Sequence, residues 1–250
     1  MTTGFSPRLK AFFLDEWSIT KFYMGEYARD LSYTVINGAT NEKSRTMLTL
    51  HDGPNEDSPV IARIPKTKTW SSTPDSLAER IKIVISIPSY GSTEQNPTTV
   101  FMGRVLTHIQ WHFHFAFKMR IGRPGHFHTE KFEWRRSKGD EVRNIHPHAR
   151  GYKLVRVGRE GPGGGSGGER HTRPRGESSD GKEVVAVWGT TGHMPHILPT
   201  TRRPFTFYFC GSGNTGELGE EWRTTAIVTA LKLYSITEED MEPHSLDPNY

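Results

Sequence analysis

The sequence predicts a mainly β protein, a closed antiparallel β-barrel around a central C-terminal hydrophobic helix. Two observations carry that expectation. Short segments whose apolar residues alternate with a period of two recur from Leu31 to Phe209, the pattern of strands with one face in a core. One later stretch, Trp222 to Tyr234, reads WRTTAIVTALKLY and is apolar almost all the way round. A surface helix would show a charged stripe, so this one has to be enclosed. A sheet closed on itself supplies such an enclosure.

Taken in order, the first 22 residues mix aromatics with charges and are read as an N-terminal segment ahead of a barrel domain at 23–236, with an acidic tail at 237–250. Leu31, Tyr33 and Val35 alternate up to Asn37-Gly38, a hairpin-turn pair. Leu48 and Leu50 form the next strand signal, closed by Asp52-Gly53-Pro54, and Val60 to Ile64 another, stopped by Pro65. Ile81, Ile83, Ile85 and Ile87 share one face, with Lys82, Val84 and Ser86 on the other. The longest signal places Ile109, Trp111, Phe113, Phe115, Phe117 and Met119 on one face. A helix would scatter those aromatics around its axis; a strand lines them up. Phe132 and Trp134, Tyr152 to Val157, Glu183 to Trp188, and Phe205, Phe207 and Phe209 continue the series.

Between Gly158 and Gly181 lies a glycine-, arginine- and serine-rich insert. Its composition offers little apolar surface to offset the entropy of ordering it, so a disordered, enlarged hairpin loop is expected.

The chain carries a net charge of +4. That is compatible with anionic partners such as lipid headgroups or nucleic acid but too modest to indicate either alone. Its single cysteine, Cys210, leaves no internal disulfide framework and suits a reducing compartment. Met1 to Lys10 lack the apolar core of a secretory signal, and no stretch reaches the roughly 18 continuous apolar residues of a membrane span. A soluble protein is expected, cytoplasmic, with the membrane periphery or the nucleus as further locations.

Five segments carry a family resemblance: Leu48 to Ala62 (LTLHDGPNEDSPVIA), Phe132 to Val142 (FEWRRSKGDEV), Gly151 to Arg156 (GYKLVR), Gly181 to Trp188 (GKEVVAVW) and the helix from Trp222. In that order, over roughly Tyr23 to Ile236, the chain resembles the tubby C-terminal-like superfamily. That superfamily includes tubby domains, phospholipid scramblases and the plant LURP-one-related proteins; the likeness is strongest to fungal tubby-like proteins. The resemblance implies a twelve-stranded barrel threaded by a hydrophobic helix, and phosphoinositide binding through a basic pair. No position here matches that pair motif by motif. The strand pattern itself offers Arg80 and Lys82, which flank Ile81 and so project from one face. Two such cations could clamp a phosphate, each contact worth ~1 kcal/mol at a membrane surface. Arg135 and Arg136 stand next in line.

Other constellations point to chemistry less completely. His112 and His114, His126 and His128, and His146 and His148 are spaced two apart, which puts each pair on one face of a strand. His126-Phe127-His128 with Glu133 is close to the first metal-binding motif of cupins. Its leading glycine, Gly122 or Gly125, falls off the usual spacing, and Pro195-His196 lacks the glycine of the second motif. His193 and His196 share a proline-rich loop and read as a turn. Gly211 to Gly216 fits G-x-G-x-x-G formally, but Glu217, Glu220 and Glu221 crowd the helix start where a phosphate would sit. The sequence therefore predicts a non-enzymatic binding module without a cofactor, with anionic phospholipid headgroups or protein partners as its targets. A cupin-like metal-dependent enzyme using His126, His128 and Glu133, or a protein-interaction scaffold, are the alternatives.

Overall fold

A computed structural model describes residues 4–13, 20–38, 46–65, 83–87, 98–106, 113–123, 125–169, 173–190 and 205–239. Twelve strands run in chain order: β1 (Arg8–Phe12), β2 (Lys21–Tyr27), β3 (Asp30–Asn37), β4 (Thr46–Asp52), β5 (Val60–Pro65), β6 (Ile83–Ile87), β7 (Thr98–Leu106), β8 (Phe113–Arg123), β9 (His126–Ser137), β10 (Arg150–Glu160), β11 (Lys182–Thr190) and β12 (Phe205–Phe209). Each pairs antiparallel with its neighbours, and β1 pairs with β12 to close the barrel. A short helix, α1 (Asp140–Arg143), lies between β9 and β10, and α2 (Glu220–Glu239) follows β12.

The alternation seen in the sequence maps onto the two faces of these strands. Phe115 and Phe117 of β8 stand opposite Trp134 and Phe132 of β9, and all four are buried. Helix α2 is the other half of this core. Trp222, Ala226, Ile227, Val228, Ala230, Leu231, Leu233 and Tyr234 are all buried and share one cluster with the strand aromatics. Removing a side chain such as Ile227 or Leu231 from water stabilises the fold by roughly 1.5–3 kcal/mol. The threonines of α2 are satisfied locally: Thr229 Oγ1 donates to Thr225 O at 2.7 Å and accepts from Trp134 Nε1 at 2.8 Å.

Ring contacts give the helix its direction. Trp222, near its start, packs 5.6 Å from Phe132 and 5.9 Å from Phe209. Tyr234, towards its end, packs 6.3 Å from Trp188, which stacks on Tyr152 at 5.1 Å. Tyr152 stands opposite Arg136 in the β9–β10 register. The helix thus enters at the pole that holds the β8–β9 turn and runs towards the pole that holds the β9–β10 connection. We refer to these as the entry and exit poles.

Three sequence expectations are corrected. The expected N-terminal segment at 1–22 holds part of the barrel: β1 fills the place between β2 and β12, with Leu9 fully buried opposite Phe207. The pair Asn37-Gly38 is not a tight hairpin turn, since β3 extends through Asn37 and β4 starts at Thr46. The insert is ordered over 158–169 and 173–181, not disordered. Its organiser is Glu177, which is fully buried; its two carboxylate oxygens accept the backbone N–H groups of Gly163 and Gly167, each at 2.7 Å. Gly164, Gly165, Gly167 and Gly168 all adopt positive φ, which lets successive backbone amides turn inward onto one anion. The fold of this loop comes from a polar nucleus, which hydropathy does not register.

Candidate anion-binding rim

The barrel interior is packed around α2, so groups available to a partner lie on the outer faces and at the poles. Arg80 and Lys82, and the pair His193 and His196, lie outside the described residues. Arg135 and Arg136 are adjacent on β9 but differ sharply. Arg135 donates to Glu133 Oε2 at 2.9 and 2.7 Å and to Asp180 Oδ1 at 2.6 Å. Burial works against its charge, but those hydrogen bonds outweigh it and hold its pKa above the ordinary arginine value. Its guanidinium already has carboxylates in hand. Arg136 is exposed and makes no ion pair with any described residue.

Arg136 has company at the exit pole. Lys138, Arg143 and Arg150, all on or flanking the β9–β10 connection, are likewise exposed and pair with no described carboxylate. Of the two acidic residues in this connection, Glu141 is buried with its Oε1 accepting from Gly176 N–H of the insert at 3.3 Å. His146 and His148 lie on the same connection with ring centroids 5.8 Å apart. The result is a rim of four cations, Lys138 and Arg143 on the β9–β10 connection and Arg136 and Arg150 at the strand ends that flank it. Lys138, Arg143 and Arg150 were not singled out from the sequence. Their signal was the density of cations in RRSKGDEVRNIHPHAR, residues 135–150; what was not legible was which of them a carboxylate would claim.

The entry pole has the opposite character. Arg156, 4% exposed, donates to both oxygens of Glu130 at 2.5 and 2.7 Å, to Ser212 Oγ at 3.0 Å and to Glu217 Oε1 at 2.8 Å. Arg159 joins Glu217 at 2.5 Å. The glycine-rich turn after β12 is part of this network. Ser212 N–H and Oγ donate to the two oxygens of Glu183 at 2.7 and 2.9 Å, so a carboxylate of the chain itself takes the place that a phosphate would need.

The metal reading is not supported by the placement of its residues. His126 and His128 are exposed, and His128 Nε2 hydrogen-bonds Glu130 Oε1 at 2.6 Å. Glu133 is an odd number of residues from both histidines on the same strand, so it points to the opposite face. There it pairs with Lys131 at 2.7 Å and with Arg135. No group of three His, Cys, Asp or Glu among the described residues could hold a metal ion.

Two further groups are shaped by burial. Cys210 donates to Val184 O at 3.2 Å, and burial holds its pKa well above the usual thiol value, the opposite of what a nucleophile needs. Lys153, 7% exposed on the outer face beneath the insert, has its pKa lowered by burial, with Glu141 opposing. No helix among the described residues is long and apolar enough to cross a membrane. Comparison with protein-family models, with curated proteins and with solved structures gave no match.

Proposed function

We propose that this protein is a tubby-like, non-enzymatic binding module that docks on anionic phospholipid headgroups through the exit-pole rim. The observation that carries this reading is the contrast in pairing: Arg136, Lys138, Arg143 and Arg150 are exposed cations without a carboxylate partner among the described residues. The packed interior supports the same reading, since recognition by a barrel filled with its own helix falls to its surface. A cluster of cations on one loop concentrates potential where phosphate oxygens would meet it.

The test is co-sedimentation with vesicles containing an anionic lipid, across a salt series. Binding should weaken steeply as salt rises, because exposed contacts are screened within about 10 Å at 0.1 M. Replacing Arg136 and Arg150 with Ala should weaken it further while the melting temperature holds. Absence of binding to any anionic vesicle would remove the lipid reading and leave a protein-interaction scaffold ahead.

A further inference from the structure

The exit pole is also where α2 leads the chain. Tyr234 sits against Trp188, which stacks on Tyr152, the cross-strand partner of Arg136. From Tyr234 the helix continues to Glu239, an advance of roughly 7–8 Å at 1.5 Å per residue. The end of this helix and the sequence beyond it, residues 237–250, read TEEDMEPHSLDPNY. It holds Glu238, Glu239, Asp240, Glu242 and Asp247, and neither lysine nor arginine. Extended, residues 240–250 reach at most roughly 36–40 Å, more than enough to lie along a loop on the same pole.

We infer that this acidic C-terminal segment is an intramolecular occupant of the cationic rim formed by Arg136, Lys138, Arg143 and Arg150, and that it competes there with external anions. The inference rests on the reading of the rim as an anion site, and it supplies that site with regulation. Three observations converge on it: the rim cations lack described partners, one short segment carries five acidic residues and neither lysine nor arginine, and α2 leads towards the same pole. The tether raises the local concentration of the acidic segment to the millimolar range, so weak, salt-screened contacts suffice to hold it. Binding by a strongly anionic surface, with many phosphates in reach at once, would displace it.

The experiment uses full-length protein in two arms. In the first, Asp240→Asn, Glu242→Gln and Asp247→Asn are combined, and a labelled peptide of residues 237–250 is titrated into this variant. Saturable, salt-sensitive binding is expected, about fivefold tighter than to the unmodified chain, whose own segment blocks the rim. Adding Arg136→Ala and Arg150→Ala should abolish the difference. Equal peptide affinity for the two chains, or indifference to the arginine replacements, would overturn the inference.

In the second arm the same tail variant should bind anionic vesicles about fivefold more tightly than the unmodified chain, the gain from losing a few exposed ion contacts. A control combining Asp30→Asn, Asp57→Asn and Glu160→Gln, exposed acids outside the exit rim, should gain much less despite the same change in net charge. An equal gain in the control would reduce the effect to net charge and overturn the competition. If neither chain binds vesicles while the peptide arm behaves as expected, the lipid reading falls and the intramolecular contact stands.

Discussion

The two poles of the barrel are built from the same residue types and put them to opposite use. At the entry pole Arg156 is enclosed by Glu130, Glu217 and Ser212, with Glu183 beyond at 3.8 Å. At the exit pole Arg136 is exposed and has no described carboxylate partner. A buried guanidinium needs its partners, because an unpaired charge in a low-dielectric site is costly. An exposed one is solvated at little cost and stays available to a partner. Arginine content therefore says little about binding until pairing is known. Here pairing separates the cations that hold the turn between β12 and α2 from those that can meet a ligand.

The sharpest way to break this comparison is to remove one arginine from each pole. Arg156→Ala should destabilise the protein by about 3–5 kcal/mol, since it strands the carboxylates of Glu130 and Glu183 in partly buried positions. Denaturant unfolding measures this; a loss below ~1 kcal/mol would show that the network is merely surface decoration.

Glu177 tests whether the insert belongs with the structured parts of the entry pole. Glu177→Ala leaves the N–H groups of Gly163 and Gly167 without acceptors and should cost about 1–3 kcal/mol, together with loss of hydrogen-exchange protection across 161–169 and 173–181. Protection that survives the replacement would mean that the loop has another anchor.

Acid should distinguish the poles as well. Burial pushes the pKa of Glu130 up, but hydrogen bonds from Arg156 and His128 outweigh it and hold the group below the ordinary value of 4.5. Glu217 is lowered too, first by its hydrogen bond with Arg156. A carboxylate whose folded pKa is depressed contributes stability that is complete above its unfolded pKa and is lost as pH falls through the folded one. The melting temperature should therefore decline below about pH 4.5, and Arg156→Ala should flatten that decline. An unchanged acid slope in Arg156→Ala would place the titrating carboxylates elsewhere.

The smallest stability effect is expected at the exit pole. Arg136→Ala with Arg150→Ala should shift unfolding by no more than ~0.5 kcal/mol, with anionic-vesicle binding reduced. A large loss of stability would show that these cations hold the fold as Arg156 does.

Much of the barrel was legible because strand alternation and the all-apolar helix are local patterns. Phe115, Phe117, Phe132 and Trp134 declare an inward face within a few residues of sequence, and α2 declares itself within thirteen. β1 was not legible. Arg8–Phe12 is short, with Lys10 between Leu9 and Ala11, and its status as a strand comes from pairing with β12 and β2. The site was read in part: Arg136 was named, Arg135 was named beside it, and the spacing of the two could not tell them apart.

The sequence by itself determined the alternation of faces, the enclosed helix and the placing of an acidic segment after it, since each depends on residues adjacent in the chain. The tertiary structure decided the rest, because it alone sets which charges meet. Arg135 lies against Asp180, 45 residues later, and Arg156 against Glu217, 61 residues later. Glu177 reaches back over a glycine-rich stretch to give it a buried centre. Coulomb attraction and hydrogen bonding act over a few ångströms in space, whatever the separation in sequence. That is why the order of the strands around the barrel, and not the cation count, divides the arginines into those that build the fold and those left free to bind.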